Sequence, residues 1–300
     1  MSLCQYLVTI LLYIQMKVIT LKSTSETFPP RLKHLHNVPT QLFLSGNADL
    51  NDLLNRPILA VVGSRKITPY GKSVLHEMLP KLCRAGVVIV SGLAYGADII
   101  AHQIALENNA PTIAVLPSPL DKIYPAAHAS IAKRITENGL LLTEYDSGTD
   151  VQNHNFIYRN RIIAALADAI LIPEAAEKSG SLHTARFGLE IGRNILAVPG
   201  NINSPVSIGT NNLIKHGATP VTDVNDIFEA LNILPNKQSA PLGDTIEEQA
   251  VLNAIFDGVS DTDEILNASE LPLDKFNQAL GMLEITGVIG SVGNSKWIIK

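Results

Sequence analysis

Six short, continuous apolar runs, each returning after a segment of helical period, constrain the fold of this chain more than any other feature. They are ILAVV (58–62), GVVIV (86–90), TIAVL (112–116), GLLLT (139–143), AILIP (169–173) and ILAVP (195–199). Strands that are apolar throughout are covered on both faces, and strands that return after a helix pair in parallel. The intervening spacing predicts helices at 71–84, 97–108, 127–137, 158–167, 182–193 and 209–216. The expected fold class is α/β, an extended Rossmann-like, doubly wound, mostly parallel sheet. Ligands of such sheets sit at the carboxyl ends of the strands.

Those strand ends carry small and polar residues. The first run leads into Gly63-Ser64-Arg65, the second into Ser91-Gly92 and on to Gly96, the fifth through Glu174 and Lys178 to Ser179-Gly180-Ser181, and the sixth to Gly200-Asn201. Small residues before a helix let backbone N–H groups face an anion. A single glycine loop is equally well explained as a tight turn. Several at one sheet edge, one carrying Arg65, favour an anion site. Lys178 either adds charge there or is a solvated loop lysine.

The run NFIYRNRII (155–163) adds an aromatic, Phe156, three residues before Arg159, with Asn160 and Arg161 following. Guanidinium forks grip phosphate oxygens, and an aromatic face stacks on a base. Within a helix, residues two apart diverge by about 200°, so Arg159 and Arg161 do not both face one ligand unless they sit at a helix start with Asn155 as its cap. The competing reading is an internal ion pair with Glu144 or Glu174. Arg65 is therefore the firmer phosphate ligand of the three.

Hydrophobic residues at 46% and charged residues at 17% give a well-cored globular chain, long enough for one large domain and a small one. The two cysteines, Cys4 and Cys83, form no CxxC, which fits a reducing, cytoplasmic setting and excludes a cysteine metal site. Residues 1–26 read as a leader. Its apolar stretch, 8–13, is too short to span a membrane and no basic residue comes before Lys17; Met16 is the expected start, because Met16-Lys17-Val18-Ile19 opens like an ordinary strand. The Rossmann-like domain is expected over 27–235, a linker over 236–246, and three helices with a hairpin over 247–300, the make-up of a winged helix-turn-helix. Residues 243–300 hold ten acidic and three basic groups, a balance of −7, against +2 for the rest. A polyanion therefore belongs on the main domain, and protein contact or a structural role on the acidic tail.

These motifs converge on a known family. AVVGSRKITPYG (60–71), SGLAYGADIIAH (91–102), TIAVLPSPLDKIYP (112–125), LLTEY (141–145), NFIYRNRII (155–163), SGSLHTA (179–185), GRNILAVPG (192–200) and GTNNLIKHGA (209–218) together resemble the DNA-processing protein A family (DprA, also called Smf). The resemblance runs from about residue 28 to 231, with a looser match after 245. It implies a non-catalytic protein, free of cofactors and metals, that binds and protects single-stranded DNA, forms a homodimer, and loads a RecA-type recombinase in natural transformation and DNA recombination. By motif, it places Arg65, Gly92, Phe156, Arg159, Asn160, Arg161 and the Ser179-Gly180-Ser181 loop at the DNA; Gly63, Ser64, Asn155 and Lys178, read from the residues themselves, complete the candidate DNA-binding set. Two departures bear on affinity. Asn153 stands where the family often has a basic residue, and Pro117-Ser118-Pro119 replaces a glycine-rich loop.

The alternative function is a Rossmann-like nucleotide hydrolase of the nucleoside-monophosphate phosphoribohydrolase type. That class carries a PGGxGTxxE loop, whereas this chain has Pro173-Glu174-Ala175-Ala176 followed by SGSLHTA. No GxGxxG follows the first strand, which argues against a dehydrogenase. His102 reads as a packed histidine, and His34 and His36 lack partners for a metal set.

Overall fold

The structure, a computed structural model, describes residues 18–233, 243, 245–293 and 295–299. The expected start at Met16 and most of the expected linker (236–242 and 244) lie outside the described residues. By internal contacts the chain divides into two units, Met1–Leu234 and Pro235–Lys300.

The first unit is built on one sheet of nine strands in the order β1-β2-β6-β5-β4-β3-β7-β8-β9. The six apolar runs form β3 (Ile58–Val61), β4 (Val88–Ser91), β5 (Thr112–Val115), β6 (Leu140–Thr143), β7 (Ala169–Ile172) and β8 (Asn194–Ala197), all parallel. Alternate residues of each strand face opposite layers. Ile58 and Ala60 pack with 162–167 on one side, while Leu59 and Val61 pack against Leu75, Leu79 and Leu82 on the other. Burial on both faces is why these runs are apolar without alternation.

Two antiparallel strands extend one edge: β1 (Val18–Lys22) pairs with β2 (Gln41–Ser45), and β2 with β6. Residues 18–26 of the expected leader thus belong to this unit. A two-residue strand, β9 (Thr219–Pro220), closes the other edge. The helices are α1 (Leu50–Leu54), α2 (Pro69–Arg84), α3 (Ala97–Glu107), α4 (Ala129–Asn138), α5 (Asn153–Tyr158), α6 (Asn160–Leu166), α7 (Ser181–Glu190), α8 (Ile208–Lys215) and α9 (Val224–Ala230). The expected single helix over 158–167 is instead two short ones, α5 and α6, meeting at Arg159. Strand order reverses between β3 and β7. There the chain leaves in opposite directions and opens a crevice at the carboxyl ends.

The segment before β3 is fastened by one arginine. Arg31 Nη1 donates to Asp168 Oδ1 at 2.7 Å and to the Leu166 carbonyl at 2.9 Å, and Nη2 donates to the Leu54 carbonyl at 3.1 Å. Asp168 Oδ2 also accepts from the Ile58 N–H at 2.9 Å. Asp168→Ala removes two carboxylate hydrogen bonds, one from the charged Arg31 and one from the neutral Ile58 N–H, and we expect a loss of about 2 kcal/mol, read by urea unfolding. A loss under ~0.5 kcal/mol would show the clasp to be dispensable.

The second unit holds α10 (Ile246–Phe256), α11 (Thr262–Ser269), α12 (Leu273–Ile285) and an antiparallel pair, β10 (Ile289–Gly293) and β11 (Lys296–Ile299). Its own core gathers Val251, Leu252, Ile265, Phe276, Leu283 and Ile289.

Candidate nucleic-acid interface

The GSR turn leaves β3 at the reversal point. The Ser64 N–H donates to the Glu174 carbonyl at 2.8 Å, and Ser64 Oγ accepts from the Lys66 N–H at 3.1 Å. Both bonds fix the turn and leave Arg65 exposed. Arg65 forms no ion pair or side-chain hydrogen bond with any described residue. Its guanidinium carbon lies 5.6 Å from the centroid of the Phe156 ring, a cation–π contact. None of its five guanidinium N–H donors is engaged by a described residue.

Phe156, on α5, is half-buried and is met edge-on by Tyr124, with centroids 5.0 Å apart and planes at 75°. Tyr124 is 47% exposed and Tyr95 is 50% exposed, the latter packed edge-on to His128 at 4.7 Å. Arg65, Phe156 and Tyr124 therefore form one accessible cation and aromatic platform at the strand ends. Sequence reasoning singled out neither Tyr124 nor Tyr95 as a DNA contact. The signal available was position: both follow the carboxyl end of a parallel strand.

Arg159 and Arg161 are not on that platform as expected. Arg159 is 4% exposed and points under the strand ends. Its Nη1 donates to the Gly92 carbonyl at 2.7 Å and to the Val115 carbonyl, and Nε donates to Asn160 Oδ1 at 3.0 Å. The guanidinium occupies the space a side chain at 92 would fill: a Cβ there would lie 2.4 Å from Arg159 Nη2. Gly92 is thus explained by this close approach. Asp98, also buried, accepts from the Gly92 and Ala94 N–H groups and lies within electrostatic reach of Arg159. Burial lowers the Arg159 pKa to about 10 and raises that of Asp98, while their mutual attraction opposes both shifts.

Arg161 is 3% exposed and makes a two-pronged pair with Glu144, at 2.7 Å on each oxygen, the internal ion pair that the sequence left open. It also donates to the Asn37 carbonyl at 3.1 Å and lies 3.8 Å from the Tyr158 ring centroid. Asn155 is no helix cap. It lies inside α5, whose N-cap is Gln152, and its Nδ2 donates to the Pro117 carbonyl at 3.3 Å. Glu174 is also engaged elsewhere, accepting from the Thr68 N–H at 2.7 Å and Thr68 Oγ1 at 2.5 Å.

The Ser179-Gly180-Ser181 loop opens α7. Its two hydroxyls bond each other at 2.8 Å, and the Gly180 carbonyl accepts from Asn160 Nδ2 at 3.4 Å. Asn160 therefore joins buried Arg159 to this loop. Gly180 and Lys178 are exposed, and neither the Gly180 N–H nor the Lys178 ammonium has a partner among the described residues. His102 is fully buried with Nδ1 2.8 Å from Thr112 Oγ1, and burial lowers its pKa to about 3, so it is neutral. Among the described residues no cluster of His, Cys, Asp or Glu is suited to a metal ion, and no helix is long and apolar enough to cross a membrane.

Comparison with known proteins identifies this arrangement. The curated DNA processing protein DprA of Streptococcus pneumoniae is 39% identical over 203 residues, covering 68% of this chain and 71% of that protein. Protein Smf of Escherichia coli is 36% identical over 279 residues, covering 89% and 74%. The X-ray structure of the S. pneumoniae protein superposes with a TM-score of 0.67 at 38% identity, covering 71% of this chain and 74% of that one. DNA processing protein A of Helicobacter pylori, whose structure describes a single-stranded DNA binding mode, superposes with a TM-score of 0.65 at 34% identity, covering 73% and 97%. The family model described as DNA recombination-mediator protein A matches residues 18–232, and the chain belongs to that family.

Proposed function

We propose that this chain binds single-stranded DNA, without catalysing a reaction on it, at the carboxyl edge of its parallel sheet. The observation that carries this reading is the exposed, unpaired Arg65 stacked on Phe156, with Tyr124 beside it. A guanidinium with all its donors free suits a phosphate, and exposed aromatic faces suit unstacked bases, which duplex DNA does not offer. The H. pylori relative's single-stranded DNA binding mode supports it. The nucleotide-hydrolase alternative is not favoured, since the relatives are DNA processing proteins and Pro173-Glu174-Ala175-Ala176 stands where that class carries its PGGxGTxxE loop.

Gly63, Ser64, Ser179, Gly180, Ser181 and Lys178 form the rim of this proposed site. Gly92, Asn155, Arg159, Asn160 and Arg161 support it from below. The bound strand is handed to a RecA-type recombinase, in the cytoplasm and by a homodimer; the family's description as a DNA recombination mediator supports a role in recombination. The second unit is a winged-helix module that contacts protein. Its α12 exposes Leu273, Met282 and Ile285, and its one lysine, Lys275, lies 3.7 Å from Glu247.

Fluorescence anisotropy with oligo-dT and a matched duplex across a salt series tests the core of this proposal. We expect tighter binding to oligo-dT, with log K falling by about 0.7 per contacted phosphate for each decade of salt. Equal or tighter duplex binding would reject it. Retention of the cognate recombinase on immobilised protein tests the partner.

A further inference from the structure

The crevice at the strand-order reversal has a second compartment that the DNA reading does not use. It has a volume of about 430 Å³ and lies outside the carboxyl ends of β3, β7 and β8, lined by Tyr70, Glu174, Gly200, Asn201, Ser204 and Ser207 among others. That volume falls in the range of small-molecule sites, roughly 300–1,000 Å³. It adjoins the GSR turn, because the Glu174 backbone accepts from Ser64.

Its chemistry differs from that of the Arg65 platform. No lysine or arginine is among its lining residues and Glu174 is, so a phosphate is disfavoured. One wall is an aromatic ring: Tyr70 is 48% exposed and is held by its hydroxyl, which donates to the Pro199 carbonyl at 2.8 Å. Its lining also includes a turn held in place, since the side-chain amide of Asn211 bonds both the N–H and the carbonyl of Gly200, at 3.2 and 3.0 Å. Ser207 is 3% exposed and lines the crevice, and its Oγ bonds no described residue. A Cβ on Gly200 would lie 2.2 Å from that oxygen, so glycine there keeps the hydroxyl in place. Glu174 is 2% exposed; each of its carboxylate oxygens accepts one hydrogen bond from Thr68 and retains a further lone pair.

A flat ring wall, a carboxylate acceptor, a free hydroxyl and an exposed amide (Asn201), without a cation, match a nucleobase and not its phosphate. We propose that this compartment binds one nucleobase, its face on Tyr70 and its amino group directed to Glu174 and Ser207. It prefers amino-bearing bases over thymine. The base comes either from the bound strand or from a free nucleoside. The strand source rests on the DNA-binding reading above; the free source does not.

Saturation-transfer NMR on the full chain with deoxyguanosine, deoxycytidine, deoxyadenosine and thymidine tests the free source. We expect the three amino-bearing nucleosides to give the stronger signal, to lose about tenfold in affinity in Tyr70→Ala, and to be unaffected by Arg65→Ala. Anisotropy with a dT tract carrying one central guanine tests the strand source. A several-fold preference over plain dT, abolished by Tyr70→Ala, supports it. Ser207→Ala and Asn201→Ala, which leave the Tyr70–Pro199 bond intact, repeat both arms should Tyr70→Ala melt early. Failure of both arms overturns the proposal. Loss of all strand binding with nucleoside binding retained instead rejects the DNA reading and keeps this one.

Discussion

Arg159→Leu will destabilise the first unit by about 3–5 kcal/mol in urea unfolding, the largest stability effect expected of any single change in the candidate site. The cause is what the guanidinium leaves behind. It is 4% exposed and holds the carbonyls of Gly92 and Val115, at the ends of adjacent strands. Leucine fills much of the volume but donates nothing, so both carbonyls lose a charged donor. Asp98, buried and bonded to two backbone N–H groups, loses the positive charge that balances it. Arg159→Lys restores charge but not the fork, and recovers only part of the loss. A penalty under ~1 kcal/mol for Arg159→Leu would mean that the guanidinium is not the support of these strand ends. DNA binding will weaken in this variant too, but together with stability, which marks a residue that positions the site.

The contrast with Arg65 explains which parts of the site were legible in the sequence. The parallel core was legible because burial on both faces removes polar residues from a strand, and β3 to β8 appear as unbroken apolar runs. Of the antiparallel strand β1 only the opening at Val18-Ile19 was legible, because the strand is largely exposed on the edge. Arg65 was legible because a Gly-Ser turn at a strand end has few ways to hide the next side chain. Arg159 and Arg161 were misplaced because charge and spacing do not reveal where a helix breaks. The chain turns from α5 to α6 at Arg159, which sends one guanidinium under Gly92 and the other to Glu144. The alternative of an internal pair with Glu144 came from the sequence, but choosing it required the geometry. Tyr124 lies 32 positions before Phe156, and only the neighbouring placement of their strand-end loops brings the rings to 5.0 Å.

Arg65→Ala will weaken oligo-dT binding by about 10- to 100-fold at moderate salt, with unfolding free energy unchanged within ~0.5 kcal/mol. No ion pair or hydrogen bond with the described residues is lost, so the folded state has little to miss. If Arg65 holds one phosphate, the slope of log K against log salt will become shallower by about 0.7. Phe156→Ala separates the two halves of the platform. Loss of a stacked base costs roughly 1–3 kcal/mol of binding and releases no counterion, so affinity falls while the salt slope stays that of the parent. The two residues touch, at 5.6 Å from guanidinium carbon to ring centroid, so their effects will not add. The double variant will lose less than the sum, because the ring that orients the guanidinium has gone with it. An Arg65→Ala slope equal to that of the parent would remove the phosphate from this arginine. Full additivity would show that the cation and the ring serve the ligand independently.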